Sequence, residues 1–459
     1  MSTVMNSPHA RDVASLLHPM TSPGRHEQDG PLILQKGKGV YVWDLEGNQY
    51  LEGMAGLWCT SLGFDNERLI EAAVQQMRTL PTYHTFFHRS NMPAIDVAEK
   101  LLAMAPVPMS KVWFANSGSE ANDHMIKFVW FYNNGRGKPE KKKIIARHDG
   151  YHGIAVSSGS LTGLPLMHKG FDLPIANILH TGSHGYYRHG LPGESEEDFA
   201  TRRAEELEAM ILAEGPETVA AFVAEPVMGA GGAIIPPRTY FAKIQAVLRK
   251  YDVLMVADEV ITGFYRTGDA FACQTYDIKP DIMINAKQLS SAYMPISSVM
   301  LNEEIYSVIR DFATENSALG TGFTYSGHPV AAAVALETLK IYEETDIGSH
   351  VRKVAAIAQR RLAALGDHPL VGDASGVGLI GSVELVKDKA TKESFGPEVA
   401  GWCSEACTRR GVILRSCAGT RVAFCPPLIV TEDEINMLFD RWALALDDTL
   451  EYVRAEGLM

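Results

Sequence analysis

Short apolar segments alternate with amphipathic segments along most of the chain, beginning near residue 91. Several segments, such as PAIDVAEKLLAMAP and FATRRAEELEAMILAEG, place their apolar residues at helical spacing. Between them lie short apolar runs of the kind found in strands covered on both faces: KVWFA, KKKIIARHD, TVAAFVAEP, DVLMVADEV, DIMINAK and SSVMLN. This alternation predicts an α/β fold whose large domain is built on a mainly parallel, doubly wound sheet.

The two ends of the chain have a different pattern. Near the N-terminus, GVYVWDLEGNQYLEG alternates around a polar turn and predicts a hairpin. Near the C-terminus, long helical segments flank the short strands GSVELV, GVILR and RVAFCPP, and the last helix begins at Thr431 with Glu434 at capping-box spacing. We therefore expect a smaller α+β domain made of residues 1–60 and 331–459, with residues 61–330 forming the large domain.

Charge is spread along the chain rather than concentrated. The 42 basic and 55 acidic residues give a formal net charge of −13, and no long basic block occurs. We therefore expect neither nucleic acid nor an anionic membrane as a partner. The sequence contains no uninterrupted run of about 18 apolar residues, which is the length that a membrane-spanning helix needs. The N-terminal segment lacks a charged leader followed by an apolar core. These features predict a soluble, cytoplasmic protein.

Cysteine and histidine positions do not predict a metal site. The chain has six cysteines, several within apolar stretches, which indicates buried thiols rather than a disulfide framework. Cys403 and Cys407 lie one helical turn apart, with no other soft ligand nearby. The carboxylate pattern and the His-Glu-x-x-His spacing of zinc sites are missing around the five histidines that come nearest to such a cluster, His148, His152, His180, His184 and His189.

Two charged residues that follow buried strand-like runs are the first candidates for chemistry. Lys287 comes directly after DIMINA, and Asp258 ends the run VLMVA 29 residues earlier. The carboxyl ends of parallel strands line the ligand site of open α/β sheets. Desolvation there lowers the pKa of a lysine and makes it nucleophilic, whereas a buried carboxylate needs a cationic partner. Taken alone, Lys287 could be a surface lysine, and Asp258 a metal ligand or a helix cap.

A third candidate is the segment SGSE, residues 117–120, which lies between a strand-like run and a long helix. It places backbone amides and a hydroxyl at a helix N-terminus, where phosphate groups bind, although a lone Ser-Gly-Ser is also a common N-cap. Tyr151 could cover one face of a planar cofactor, with Val260 on the other. A lysine for a Schiff base, an anion, a phosphate site and stacking surfaces are together what pyridoxal phosphate (PLP) requires.

Six motifs occur in a fixed order: NSGSEAND, DGYHG, AEPVMGAGG, ADEVITGFYRTG, AKQLSSAYMP and GFTYSGHP. This set, which spans about 210 residues, resembles the signatures of class III (fold type I) aminotransferases. The resemblance implies the fold type I architecture of PLP enzymes. It also implies that Lys287 carries PLP as a Schiff base and that Asp258 holds the pyridine nitrogen.

The same resemblance implies roles for further residues. Gly118 and Ser119 would contact the phosphate, and Tyr151 would stack on the ring. Glu225, in AEP, would orient the region of the tyrosine and the aspartate. Thr324, in FTYSGHP, would reach the phosphate of the neighbouring subunit's cofactor, which implies a homodimer with sites at the interface and leaves pairing into tetramers open.

The chain departs from the family pattern at three positions where glycine is usual, Gln288, Ala292 and Tyr265. The first two lie beside the lysine, so we expect the backbone to approach the cofactor slightly differently. Neither departure removes a reacting group.

The segment AGLWCTSLGF, the Phe86-Phe87 pair and Arg415 resemble the ω-transaminases, or amine:pyruvate transaminases. By that resemblance, Trp58 and Phe86 or Phe87 would wall an apolar pocket for amines that lack an α-carboxylate. Arg415 would pair with the carboxylate of pyruvate or alanine and swing away for an apolar amine. Alternatively, Arg415 and Arg421 serve a structural ion pair.

The expected reaction is a ping-pong transfer of an amino group from a primary amine or ω-amino donor to pyruvate or a related keto acid, with Lys287 moving the proton. A β-alanine or polyamine aminotransferase, and less so an aminomutase or a decarboxylase of the same class, stay open as alternatives. The sequence predicts neither the physiological donor nor the enantiopreference.

Two unrelated reactions are disfavoured. Gly376, Gly378 and Gly381 form a Gly-x-Gly-x-x-Gly motif, but it precedes the strand-like SVELV instead of following a strand and opening a helix. A dinucleotide site is therefore not expected. No Gly-x-Ser-x-Gly segment occurs, which argues against serine-based acyl transfer.

Overall fold

The structure, a computed structural model, describes residues 6–459. Its N-terminal part has two short helices and three antiparallel strands: α1 (Pro8–Ser15), α2 (Pro23–Asp29), β1 (Leu34–Lys38), β2 (Tyr41–Asp44) and β3 (Gln49–Glu52). The predicted hairpin is β2–β3. Its turn is closed by the Asp44 carboxylate, which accepts hydrogen bonds from the Asn48 amide and the Tyr50 hydroxyl.

The middle of the chain alternates helices and strands. In chain order these are α3 (Ala55–Trp58), α4 (Glu67–Thr79), α5 (Met92–Met104), β4 (Lys111–Ala115), α6 (Gly118–Gly135), β5 (Lys143–Arg147), α7 (Val156–Leu161), α8 (Pro165–His168), β6 (Ile178–Thr181), α9 (Tyr186–His189), α10 (Glu196–Glu214), β7 (Val219–Ala224), α11 (Tyr240–Lys250), β8 (Leu254–Asp258), α12 (Ala272–Thr275), β9 (Ile282–Asn285), β10 (Ser297–Leu301) and α13 (Glu303–Glu315). A 3₁₀ turn, Lys287–Ser290, lies between β9 and β10.

Strands β4 to β10 form one seven-stranded sheet in the order β4-β10-β9-β8-β7-β5-β6. Strands β5 to β9 run parallel, and β10 is antiparallel to both of its neighbours. Because β8 and β9 are adjacent, with Asp258 opposite Ile284, their carboxyl ends open onto the same edge of the sheet. The predicted α/β fold with a mainly parallel sheet is therefore confirmed.

Both faces of this sheet are covered. Along β8, Met255 belongs to one buried apolar cluster and Val256 to another, because successive residues of a strand point to opposite faces. Strands β7, β8 and β9 are buried along their whole length, as their continuous apolar runs predict. No helix in residues 6–459 combines the length and the apolar character that a bilayer span requires.

The C-terminal part returns to the N-terminal strands. It contains α14 (Pro329–Glu344), α15 (Ile347–Leu365), β11 (Val371–Val377), β12 (Ile380–Asp388), β13 (Glu393–Ser394), α16 (Pro397–Arg409), β14 (Val412–Ile413), β15 (Arg415–Ser416), β16 (Arg421–Phe424) and α17 (Glu432–Ala455). Strand β14 pairs in parallel with β3, with Val412 opposite Leu51, so both ends of the chain share a sheet. Thr431 and Glu434 form the predicted capping box of α17.

The proposed domain boundaries stay a prediction. Residues 1–5 of the predicted small domain lie outside the described part of the chain. The boundary at 330/331 falls inside α14, which packs against α4 and α5. A single helix thus belongs partly to each predicted domain.

The Gly-x-Gly-x-x-Gly motif forms the tight turn of the β11–β12 hairpin. Gly378 has a φ of +57°, and a Cβ at this position would lie 2.3 Å from the Arg266 carbonyl oxygen. The turn is fixed there by hydrogen bonds in both directions, from the Leu379 amide to the Arg266 carbonyl and from the Arg266 guanidinium to the Leu379 carbonyl. The motif therefore has a structural use as a hairpin turn.

Substitution of Gly378 tests this interpretation. Gly378→Ala forces a residue with a Cβ into the left-handed conformation, and that Cβ overlaps a backbone oxygen. We therefore expect the substitution to lower the free energy of unfolding by roughly 2–4 kcal/mol. Gly419→Ala is the matched control, because Gly419 has a φ of +70° and a Cβ added there would have no atom within 4 Å. It should lose only about 1 kcal/mol. Equal losses in denaturant titrations would contradict the interpretation.

Candidate active site

Lys287 lies at the end of β9, where the 3₁₀ turn begins. Its φ of +49° is in the left-handed region, and the amide of Ala292 donates to its carbonyl (3.3 Å). Burial lowers the pKa of the Lys287 amine, and the nearby Cys59 and Asp258 side chains offset part of that effect. The amine forms no ion pair or hydrogen bond with any residue in the described range 6–459. Because burial favours the neutral form of this unpaired amine, it makes Lys287 a better nucleophile than an exposed lysine.

Asp258 is the last residue of β8 and is 3% exposed. Its Oδ2 accepts hydrogen bonds from Asn122 Nδ2 (3.0 Å) and His152 Nδ1 (2.8 Å), and its Oδ1 accepts one from the Val260 amide (3.1 Å). Three donors from three parts of the chain therefore fix the carboxylate. No lysine or arginine in the described part of the chain pairs with it, so its charge is available to a bound cation.

Asn122 and His152 are site residues that the sequence analysis missed. Asn122 lies in the motif NSGSEAND and His152 in the motif DGYHG, but the sequence alone suggests for His152 only the role of a zinc ligand. Their contact with Asp258 crosses 136 and 106 residues of sequence, which a local pattern cannot reveal. Both have a second buried polar atom without a partner, Asn122 Oδ1 and His152 Nε2.

The segment of residues 117–120 opens α6. The Ser117 hydroxyl accepts a hydrogen bond from the Glu120 amide, so the N-cap interpretation holds for Ser117. The amides of Gly118 and Ser119 belong to the first turn, whose N–H groups have no helical acceptor. A Cβ at Gly118 would lie 3.2 Å from both methyl groups of Val260. Glycine thus lets the helix start pack directly on the loop after β8.

Tyr151 is attached to Glu225 through its backbone. Glu225 is 3% exposed, and its two carboxylate oxygens accept from the amides of Tyr151 (2.8 Å) and Gly229 (2.9 Å). Burial raises the pKa of the Glu225 carboxyl, and its own hydrogen bonds offset part of that rise. Burial likewise raises the pKa of the Tyr151 phenol, and the nearby Arg415 guanidinium opposes that effect. Arg415 therefore lies close enough to Tyr151 for its charge to act on the phenol.

Arg415, the candidate for substrate binding, and Arg421, which was paired with it in the alternative of a structural ion pair, differ sharply. Arg421 is buried and pairs with Asp373 (3.0 Å) and Glu384 (2.7 Å). Arg415 lies half-buried on β15, and its side chain forms no ion pair or hydrogen bond with any described residue. The structural ion pair therefore belongs to Arg421, and it leaves the charge of Arg415 free.

The three aromatic candidates occupy different environments. Trp58 is 1% exposed, belongs to a buried cluster with Val227, Ile261 and Ala423, and has no partner for its indole N–H. Phe86 is half-buried, and its ring lies against Gly322. Phe87 is 79% exposed.

Thr324 is exposed in a turn. Like Phe87, it is therefore on the surface of the single chain rather than in the cluster around Lys287. Thr324, which we expect at the subunit interface, and Phe87, a candidate for the pocket wall, thus both lie outside the site that a single chain forms.

Residues 23–446 match the family model for class-III aminotransferases. The chain belongs to this family. It is 48% identical over 441 residues to the mitochondrial γ-aminobutyrate transaminase 1 of Oryza sativa subsp. japonica, covering 95% of this chain and 85% of that protein. It is also 48% identical over 438 residues to the chloroplastic γ-aminobutyrate transaminase 3 of Solanum lycopersicum, covering 95% and 84%.

Solved structures agree with the family assignment. The ω-transaminase of Pseudomonas jessenii in complex with PMP has a TM-score of 0.96 and 54% identity, over 97% of this chain and 99% of that chain. A thermostable ω-transaminase variant engineered for the synthesis of bulky amines has the same score and identity, over 97% and 100%. The class III resemblance, the fold type I prediction and PLP as cofactor are confirmed. The chain is a PLP-dependent aminotransferase.

The residues present fit that cofactor. A desolvated amine and an immobile carboxylate lie at adjacent strand ends, which suits a cofactor that needs both a covalent lysine and an anion. The start of α6 offers amides for the phosphate, next to them. No lysine or arginine of the described chain pairs with Asp258.

The comparisons contradict the prediction of a cytoplasmic protein, because the plant relatives are named as mitochondrial or chloroplastic. The compartment of an enzyme is read by receptors from address signals, and the composition and charge used for the prediction do not encode it. The same folded enzyme can therefore work in different compartments.

The three positions where the family usually has glycine differ in backbone conformation. Ala292 has a φ of +61° and Tyr265 a φ of +73°, so two of the three positions adopt the left-handed conformation that glycine favours. Gln288 is not among them. Its buried side chain donates to the Ile261 carbonyl (2.7 Å), and its own carbonyl accepts from the Tyr342 hydroxyl (2.8 Å).

We expect Ala292→Gly to relieve strain. The change removes the cost of a left-handed alanine, so the free energy of unfolding should stay equal or rise by up to about 1 kcal/mol. Ala356→Gly, at an exposed position within α15, should instead lower it by about 1 kcal/mol. Thermal unfolding of both variants at saturating PLP measures the difference. A loss for Ala292→Gly as large as for Ala356→Gly would show that the backbone there is unstrained.

Proposed function

We propose that this enzyme transfers an amino group from a primary amine or ω-amino donor to pyruvate or a related keto acid, with Lys287 as its PLP lysine. The observation that carries the proposal is the convergence of charged groups around Lys287 and Tyr151. The fixed Asp258 carboxylate lies near both residues, and the unpaired guanidinium of Arg415 lies near Tyr151.

When bound, PLP supplies an electron-withdrawing ring that stabilises negative charge on the substrate carbon that loses a proton. Asp258 would keep the ring nitrogen protonated, because its own donors hold the carboxylate in place and no lysine or arginine of the described chain pairs with it. Gly118 and Ser119 would bind the phosphate through their amides. Tyr151 and Val260 would lie on the two faces of the ring, with Glu225 positioning Tyr151 through its amide.

Lys287 would move the proton. Burial favours its neutral amine, and in that form the amine can accept a proton from the substrate carbon and return it to a neighbouring atom. The left-handed backbone of Lys287 and the Ala292 amide on its carbonyl hold the side chain at the sheet edge while the amine moves.

Substrate selection would follow from Trp58 and Arg415. The buried indole of Trp58 would form an apolar wall, with Phe86 further along it, that limits the bulk of the amine. The engineered ω-transaminase variant described above carries glycine in place of a tryptophan, and we propose that Trp58 has the equivalent position. Arg415 would bind the carboxylate of the keto acid through a charge-assisted pair.

A second donor class is favoured by a separate observation. The plant relatives are γ-aminobutyrate transaminases at 48% identity, so an ω-amino acid is a candidate donor for this chain as well. Such a donor has a carboxylate at its far end, which Arg415 could bind in the same way. The two donor classes therefore differ in whether the first half-reaction needs Arg415.

We also propose that the enzyme works as a homodimer, with Thr324 reaching the phosphate bound by the other subunit. Thr85 donates to the Ser326 carbonyl (3.2 Å), which joins the two segments that present Phe87 and Tyr325, 79% and 61% exposed. Adjacent exposed aromatic residues are typical of a subunit interface. A monomeric holoenzyme in sedimentation velocity would contradict this proposal.

The visible absorption of the bound cofactor tests the function. Adding 1-phenylethylamine to the holoenzyme should bleach the band, and adding pyruvate should restore it. A band that responds to γ-aminobutyrate but not to 1-phenylethylamine would move the donor class to ω-amino acids.

Lys287→Ala should fold and lose turnover by several orders of magnitude, and normal turnover in this variant would overturn the assignment of Lys287 as the PLP lysine.

Replacement of Arg415 separates the two substrates. We expect Arg415→Leu to raise the KM for pyruvate by roughly 10–100-fold, since a hydrogen bond to a charged group contributes about 1.5–3 kcal/mol. The bleaching rate with 1-phenylethylamine should stay within about twofold, because this donor has no carboxylate. Arg360→Leu, at an exposed position of α15, is the matched control and should change neither value. An equal loss with both substrates would mean that Arg415 shapes the site without binding the carboxylate.

A further inference from the structure

Three potential metal ligands converge near the N-terminus, away from the residues assigned to PLP. Asp12 lies on α1, His26 on α2, and His18 in the segment between the two helices. The Nε2 atoms of His18 and His26 lie 2.8 and 2.9 Å from the same oxygen of Asp12, and the three atoms are all within 4.8 Å of one another. Within residues 6–459 this is the one group of three or more such side chains that converges in this way. We call it the N-terminal histidine cluster.

The cluster carries a negative charge without a fixed cation. Burial on its own would raise the pKa of the Asp12 carboxyl, but the hydrogen bonds from His18 and His26 outweigh it and lower the pKa. Asp12 is therefore ionised at neutral pH. Its ion-pair partners among the described residues are these two imidazoles alone, and the neighbouring Arg25 is engaged by Asp29 and Glu405.

The three side chains are sheltered yet reachable. Their exposed fractions are 27% for His18, 11% for His26 and 17% for Asp12. A cavity of about 270 Å³ adjoins both histidines, and its lining includes Thr21 and Glu27. It has room for water as a further ligand, and the Glu27 carboxylate adds negative charge at its edge.

Two imidazoles and one carboxylate form a ligand set that suits zinc, with a water in the fourth position. Zinc bonds of about 2.0–2.1 Å place tetrahedral ligand atoms about 3.3 Å apart. The Nε2 atoms of His18 and His26 lie 2.8 and 2.9 Å from the shared Asp12 oxygen, a few tenths of an ångström closer than that spacing. The two imidazoles, whose ring centroids are 4.2 Å apart, would therefore move slightly away from Asp12 when zinc binds.

We infer that Asp12, His18 and His26 form a zinc-binding site that fastens α1 to α2. Each imidazole binds through the Nε2 lone pair, with its ring proton on Nδ1, and Asp12 binds as the carboxylate. Zinc therefore replaces the two hydrogen bonds to Asp12. A neutral imidazole moves its proton from Nε2 to Nδ1 by exchange with water, and a protonated imidazole loses its Nε2 proton to water. Affinity falls with decreasing pH as the imidazoles become protonated.

The test uses the complete holoenzyme, freed of metal, and ZnCl₂ as the probe. A competition titration against a chromophoric zinc chelator should give one zinc ion per chain. His26→Gln and Asp12→Asn should each weaken binding by more than the roughly 10–100-fold that loss of a supporting partner costs. His9→Gln is the matched control, because His9 lies on α1 with Asp12 but does not belong to the cluster. This substitution should leave the zinc affinity unchanged.

Circular dichroism and transaminase activity of the metal-free variants check that they are folded, since none of these residues belongs to the PLP site. Crystals soaked in ZnCl₂ should give an anomalous peak at the zinc edge between the three side chains. Absence of stoichiometric binding, binding that survives His26→Gln, or a peak at another place such as a cysteine would overturn the inference.

Discussion

The carboxylate of Asp258 is held on both of its oxygens, by Asn122 and His152 on one and by the Val260 amide on the other. These donors come from α6, from the loop after β5 and from the loop after β8, so the charge cannot turn away from the site. The amine of Lys287 lies at the end of the neighbouring strand and is desolvated there. The parallel pairing of β8 with β9 is what places a fixed anion and a desolvated amine at adjacent strand ends.

The frame of the site could be predicted from the sequence because it depends on strand ends. Lys287 and Asp258 each follow an apolar run directly, and the order of parallel strands then brings both to one edge of the sheet. The use of Gly378 as a structural turn also follows from local context, since the motif precedes a strand. Such features need only short stretches of sequence, and the glycines and turn residues there constrain the backbone directly.

The remaining features depend on contacts between distant segments. Nothing local distinguishes Arg415 from Arg421, because the partners that occupy Arg421 lie on β11 and β12. His152 becomes a partner of Asp258 only when β5 and β8 are assembled in the same sheet. The strain at Ala292 is likewise set by the loop between β9 and β10, and a departure from the usual glycine indicates its place but not its φ.

The pairing of β3 with β14 has a consequence for synthesis of the protein. Leu51 and Val412 face each other across roughly 360 residues of sequence, so the edge of β3 has no partner while most of the chain is still being translated. An open strand edge can pair with other chains and promotes aggregation, and contacts so distant in sequence slow folding. The nascent enzyme must therefore keep its first strands protected, by a chaperone or by transient cover from its own chain, until the ribosome has released the C-terminal part.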